Sequence, residues 1–249
     1  MSFPILRMFI SEMPGLRSLL SAGRDLFLSN SGISEIKSLQ YGSDERHKLD
    51  IYEPNVVNDE TETIFFVHGG GWETGNKDLH SFIGRSWARK NYIVMIPNYR
   101  LAPENTYPEQ LKDIARSVVW VQNNYDNFTG SFYLAGHSAG AHMASLLGFS
   151  DEWLEQAELT IESISGFILL AGVYQFYPYD RADERVKRFI GGKRYWEEAQ
   201  PYNHLKSGLP PVFIAHGLRD GEVLPAQSRQ LSTKLTELSV RNELLIEQD

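Results

Sequence analysis

The stretch that most constrains this chain is Tyr133-Leu134-Ala135-Gly136-His137-Ser138-Ala139-Gly140-Ala141-His142, where an apolar run meets a G-x-S-x-G turn and small residues follow at helical spacing. That pattern predicts a strand, a sharp turn and a helix. A serine hydroxyl is a poor nucleophile, so useful chemistry requires it clear of the fold, beside a base and near N–H groups that can stabilise an oxyanion. A strained strand-to-helix elbow supplies that placement, with Gly136 and Gly140 leaving the space that a β-carbon would block. The Ala139 N–H then lies at a helix N-terminus, where the partial positive charge favours a developing anion. A second glycine run, Val67-His68-Gly69-Gly70-Gly71-Trp72, follows another apolar strand earlier in the chain. The pair is far more specific than either motif alone, because one oxyanion hole needs donors from two places.

The rest of the chain reads as an α/β alternation that carries these two loops. Ile33 to Tyr41 and His47 to Tyr52 are expected as strands of a hairpin around Gly42-Ser43-Asp44-Glu45, with Pro54 closing the second. Ile64-Phe65-Phe66-Val67 and Tyr92-Ile93-Val94-Met95-Ile96 are continuous apolar runs, as strands buried on both faces of a parallel sheet should be. Helices are expected from about Leu79 to Arg89 and from Pro108 to about Asn124, then strands at Ile164 to Ala171 and Pro211 to Ala215. A helix over Pro225 to Leu238 and a last strand at Asn242 to Glu247 complete the pattern. Ligands of such sheets bind outside the carboxyl ends of the strands, where both glycine motifs fall.

Between Ile164–Ala171 and Pro211–Ala215 lies an insertion over about 173–209, rich in Tyr, Phe and Trp. It reads equally as a cap over a substrate pocket or as the core of a small helical unit. Trp72, Tyr174, Tyr177 and Trp196 are the candidate pocket residues.

Composition narrows the function classes. With 249 residues and 42% hydrophobic residues the chain has enough material for one full core, expected over 33–249. It has no cysteine, which excludes thiolate chemistry and disulfides, and neither a metal nor a cofactor is expected. A net charge of −8, without a basic run to offset it, argues against nucleic acid as a partner. Residues 1–32 are expected as a helical arm that packs on the domain, with membrane-surface contact as the alternative reading. Arg7, Glu12 and Pro14 interrupt its apolar stretch too early for a secretory signal, so a cytoplasmic location is the expectation. Asn127-Phe128-Thr129 spells a glycosylation sequon, which matters only on export.

Taken together, His68-Gly69-Gly70-Gly71-Trp72, Tyr99-Arg100-Leu101-Ala102-Pro103, Gly136-His137-Ser138-Ala139-Gly140 and His216-Gly217-Leu218-Arg219-Asp220 resemble the α/β-hydrolase superfamily. Within it the likeness is to the esterase and lipase branch related to hormone-sensitive lipase and the arylformamidases. The resemblance spans roughly residues 40 to 249. It implies a mostly parallel sheet with helices on both faces, and small-molecule esters or amides as partners. It also implies Ser138 as nucleophile, Asp220 as the triad acid, and the N–H groups of Gly70, Gly71 and Ala139 as the oxyanion hole. His68 then braces its loop, Asp113 partners a loop or Arg100, and His216 is the family's structural histidine. Leu224 stands where the family has a proline, with Pro225 one place late.

In that family the base histidine sits in the loop directly after the last strand, here Leu244-Leu245-Ile246-Glu247, and is expected beyond Asp249 together with a C-terminal helix. Loss of such a histidine costs a serine protease about a millionfold in turnover. Three functions follow from the resemblance: a carboxylic-ester hydrolase working through an acyl-enzyme, an arylformamidase-type amide hydrolase, or a non-catalytic binding protein of the kind represented by the gibberellin receptors.

Overall fold

In the computed structural model, which describes residues 32–248, the apolar runs become eight strands of one sheet. They are β1 (Ile33–Gln40), β2 (Lys48–Pro54), β3 (Glu62–Val67), β4 (Tyr92–Pro97), β5 (Phe132–His137), β6 (Ile164–Leu170), β7 (Val212–Gly217) and β8 (Asn242–Glu247). Their order is β1-β2-β4-β3-β5-β6-β7-β8. The β1–β2 and β2–β4 pairs are antiparallel, and every pair from β4–β3 to β7–β8 is parallel. Strand order is the part that the linear pattern does not carry: β3 sits inside β4, next to β5, so the two glycine loops leave neighbouring strand ends.

Side chains alternate across a strand, and here both faces are buried. Ile64 and Phe66 of β3 pack with Ile83 and Trp87 of α1 (Ser81–Ala88) on one face. Phe65 and Val67 pack on the other, where α2 (Glu109–Asn124), α3 (Ala139–Phe149) and α6 (Ala226–Glu237) contribute Leu111, Met143, Leu146 and Leu231. This double burial is why the strands read as uninterrupted apolar runs. A short helix that the pattern did not signal, α4 (Asp151–Gln156), follows α3 directly and buries Trp153 and Leu154. The arm expected over 1–32 lies, apart from Gly32, outside the described residues.

The insertion between β6 and β7 is built from α5 (Glu184–Ile190) and short 3-10 turns. Many of its rings pack on one another: Trp196 lies 5.2 Å from Phe176 and 5.0 Å from Tyr179, and Phe189 stacks on Trp72 at 4.7 Å. Among the described residues no helix is long and apolar enough to cross a membrane, and no group of His, Asp or Glu side chains is arranged to hold a metal ion.

Two histidines are sealed in this core as neutral rings. His142 of α3 has Nε2 at 2.8 Å from the Ala199 carbonyl, to which it donates, and its Nδ1 accepts from Trp72 Nε1 at 3.2 Å. His68 donates from Nδ1 to the Gly69 carbonyl at 2.8 Å and stacks on Tyr99 at 4.4 Å. Burial holds His142 down to about 4 and His68 down to about 3. A base whose folded value lies below its unfolded one lets the unfolded chain bind protons first. Its contribution is therefore intact above about pH 6.5 and is lost as the pH falls toward the folded values. Each ring then adds up to about 1.4 kcal/mol per pH unit to the slope. Urea midpoints should fall steadily from pH 6.5 to pH 4.5, and His142→Gln should flatten that slope. A midpoint constant across the window would show that the rings charge without opening the fold.

Candidate active site

The serine sits in a strained conformation that its surroundings enforce. Ser138 has φ 54° and ψ −122°, a region costly for a residue with a β-carbon, at about 1–3 kcal/mol. It is held there by Ser138 N–H donating to the Leu170 carbonyl at 2.8 Å and by His142 N–H donating to the Ser138 carbonyl at 3.1 Å. The turn closes because two glycines let backbones touch. A β-carbon on Gly140 would lie 2.0 Å from the Val67 carbonyl oxygen, and one on Gly136 would lie 2.4 Å from the Gly140 oxygen. The start of α3 therefore presses directly on the end of β3.

The same approach brings in the first glycine loop. A β-carbon on Gly69 would meet Ser138 Cβ at 3.3 Å and the His137 carbonyl oxygen at 2.8 Å, so residues 69–71 run against the elbow. The Gly70 carbonyl is turned away into its own loop, accepting from Thr74 N–H at 2.9 Å, Thr74 Oγ1 at 2.9 Å and Glu73 N–H at 3.2 Å. Across a planar trans peptide the N–H of Gly71 points opposite to that carbonyl. Among the described residues the N–H groups of Gly70, Gly71 and Ala139 donate to no backbone carbonyl. Gly70 and Gly71 are half-buried and Ala139 is buried, so these donors are open to an acceptor from outside the chain. Behind the loop, the Tyr99 hydroxyl donates to the His68 carbonyl at 2.9 Å, and Arg46 donates to the Tyr99 carbonyl at 2.7 Å and the Gly75 carbonyl at 2.9 Å.

Asp220 follows β7. Its Oδ1 accepts from the N–H groups of Glu222 at 2.9 Å and Val223 at 3.0 Å, while Oδ2 lies 3.4 Å from His216 Nε2. That histidine has both nitrogens engaged. Nε2 donates to the Val223 carbonyl at 2.8 Å and Nδ1 accepts from Ser228 Oγ at 2.7 Å, so the ring braces the acid loop from below. His47, His80 and His204 are likewise held, by Asp113, the Asn76 carbonyl and the Glu198 carbonyl. His137 is different: no hydrogen bond to its ring is formed among the described residues, it borders Gly69, and burial pushes it down to about 4 while the charge of Asp220 works in the other direction. Among the described residues no histidine hydrogen-bonds the Ser138 hydroxyl.

Of the aromatic candidates, Trp72, Tyr174 and Trp196 are buried, and Tyr177 is 65% exposed. Trp72 adopts φ 62° and wedges between His142 and Phe189. Tyr174 N–H and Gln175 N–H both donate to Gln227 Oε1 at 2.9 Å, which ties the start of the insertion to α6. Asp113 of α2 grips Arg100 with both oxygens, at 2.7 Å and 2.8 Å. One residue that the sequence did not single out, Arg185 of α5, lies across Gly71: a β-carbon there would sit 2.7 Å from Arg185 Cδ. No local motif marks it, because its position depends on how the insertion folds back.

The chain is similar to several known proteins. Isoprenylcysteine alpha-carbonyl methylesterase ICME of Arabidopsis thaliana is 29% identical over 232 residues, covering 84% of this chain and 54% of that protein. Kynurenine formamidase of Danio rerio is 32% identical over 143 residues, covering 57% of this chain and 47% of that protein. The chain spans about half the length of these curated relatives. The crystal structure of esterase B from Lactobacillus rhamnosis HN001 superposes with a TM-score of 0.76 at 23% identity, covering 93% of this chain and 83% of that one, which shows the shared fold. The family model described as BD-FAE matches residues 49–235, a span that includes both glycine loops, Ser138 and Asp220, and the chain therefore belongs to this family of α/β-hydrolase esterases.

Proposed function

We propose that this chain carries the catalytic body of a serine hydrolase acting on carboxylic esters of small or aryl compounds. The observation that carries the reading is the convergence on one strained serine of two loops whose N–H groups have no backbone acceptor. Ser138 Oγ attacks the ester carbonyl as its proton passes to an imidazole. The N–H groups of Gly70, Gly71 and Ala139 receive the charge on the carbonyl oxygen, the alcohol leaves with the proton, and water then releases the acid from the acyl-serine. Asp220 orients the imidazole and stabilises its cation. A binding protein has no use for a serine held at such a cost, which disfavours the non-catalytic reading.

His216 is a poor base, since Nε2 is committed as a donor and Nδ1 as an acceptor. We propose that the base stands instead just after β8. Leu218 N–H donates to the Glu247 carbonyl at 2.7 Å, so the chain leaving β8 emerges beside the acid loop. Hydrolysis of an aryl acetate by the 249-residue chain should be close to the uncatalysed rate. The chain lengthened by a segment with a histidine soon after Glu247 should gain several orders of magnitude, and Ser138→Ala should remove the gain and the labelling by a fluorophosphonate. Equal activity in both chains, lost on His137→Ala or His216→Ala, would move the base to that residue.

Amide-like substrates are the second reading, supported by the 32% identity to a kynurenine formamidase, and formyl anilides tested beside the esters separate the two. The insertion is proposed to border the pocket. Tyr177→Ala, at an exposed ring, should change the preference among acyl-chain lengths without loss of stability. Trp196→Ala should cost about 3–5 kcal/mol in urea unfolding, since it empties the packing between Phe176 and Tyr179. If Tyr177→Ala leaves the whole length profile unchanged, the insertion does not select the acyl chain.

A further inference from the structure

The glycine loop and the acid loop are bridged by one cation. The Arg185 side chain crosses Gly71 of the glycine loop, where a β-carbon would lie 2.7 Å from its Cδ, 3.2 Å from one terminal nitrogen and 3.3 Å from Nε. The same terminal nitrogen lies 3.6 Å from an oxygen of Glu222, two residues past Asp220 on the acid loop. The guanidinium thus reaches from the glycine loop on one side to the acid loop on the other.

Its pairing is loose. The Glu222 contact exceeds hydrogen-bonding distance, and that carboxylate is 84% exposed, so the pair is worth little. Arg188, one turn along α5, is by contrast gripped by both oxygens of Glu73, at 2.5 Å and 3.1 Å. That hydrogen bond from Arg188 holds the Glu73 carboxyl below its ordinary range, with the Arg185 charge adding to the effect. Glu73 is therefore already matched, and the Asp183 side chain is spent on capping α5, accepting from Arg185 N–H at 2.7 Å. Glu222 is the weakly held partner that an incoming anion displaces. A guanidinium suits this task because its planar fork binds a carboxylate through two parallel hydrogen bonds.

On the reading of Ser138 as an ester-cleaving nucleophile, we propose that Arg185 is a specificity-determining residue that selects substrates bearing a carboxylate near the scissile carbonyl, with Glu222 occupying its guanidinium when no such substrate is bound. A chain of net charge −8, with Glu222 and Glu73 close to Arg185, would otherwise repel such compounds.

The test uses the chain lengthened by a segment with a histidine soon after Glu247, and matched esters with the charge on either side of the scissile bond: 3-acetoxybenzoate against its methyl ester, and the mono-4-nitrophenyl ester of glutarate against 4-nitrophenyl valerate. Arg185→Gln should lower the charged-to-neutral ratio of kcat/KM at least tenfold in one of the pairs. Glu222→Gln, an exposed substitution, should raise the same ratio about threefold, and added salt should lower it in the parent protein. Ratios that move less than twofold in both variants, with the neutral esters still cleaved, would overturn the role of Arg185 and leave the hydrolase reading standing. If no ester is cleaved and Ser138 takes no fluorophosphonate, the hydrolase reading falls. Calorimetry with glutarate against glutaramide then decides: binding of the dianion alone, weakened tenfold by Arg185→Gln, supports the anion site, and equal or no binding refutes it.

Discussion

The contact on which the rest depends is the approach of Gly140 to the carbonyl oxygens of Val67 and His68. A β-carbon would reach them at 2.0 Å and 2.5 Å, so nothing larger than glycine fits without parting two backbones. Val67 is also paired across the sheet with Gly136, which fixes the register between β3 and β5. Helix, strand and loop are thus locked at one point, and the strain at Ser138 is maintained because the elements around it have no room to relax. The whole of α3 is buried, which adds a hydrophobic anchor to the geometric one.

Behind that point stands a relay of polar contacts that keeps the glycine loop from drifting. The carboxylate of Asp113 is fully buried and is satisfied by Arg100, whose backbone N–H it also receives at 2.9 Å. Removing Arg100 would take the main cationic partner from a buried carboxylate, so the pair is far costlier to break than to keep. It fixes the segment after β4, and the next residue back, Tyr99, carries that order to the loop by stacking on His68 and bonding its carbonyl. Ala102 N–H donates to the Trp72 carbonyl at 2.9 Å, a second tie between the two segments. The Tyr-Arg-Leu-Ala-Pro motif is thus a brace for the oxyanion loop, reaching the chemistry only through other residues.

What the sequence made legible follows from how local each signal is. The elbow, the glycine loop and β8 were readable because glycine spacing and continuous apolar runs are set by neighbours in the chain. The helix start at Glu109 was readable from Pro108. Strand order, the small helix α4 and the partners of His142 were not, since each depends on contacts between distant segments. His142 shows why: its helical position says nothing of Trp72 and Ala199, yet these two partners decide which nitrogen holds the proton. The insertion was undecided between cap and core because rings suit both. Arg185 was invisible for the same reason, being functional only by virtue of the fold that lays it over Gly71.

The order of the strands also limits where a base can stand. Ser138 follows β5 and Asp220 follows β7, with β6 between them. Two strand spacings amount to roughly 9–10 Å, more than a serine and a carboxylate span by direct contact. An imidazole with a hydrogen bond of about 2.8–3 Å at each end bridges a gap of that order. The intervening strand cannot supply it, since β6 runs out into Ala171-Gly172-Val173, which carries no titratable side chain. His216 stands at the end of β7 itself, buried, with both ring nitrogens engaged by Ser228 and the Val223 carbonyl. His137 ends the strand that leads into Ser138 and feels the charge of Asp220 without bonding to it. On leaving β8 the chain passes beside the acid loop, where the Leu218 N–H donates to the Glu247 carbonyl, so of the segments at this end of the sheet it is the one that runs next to Asp220 without belonging to β5, β6 or β7.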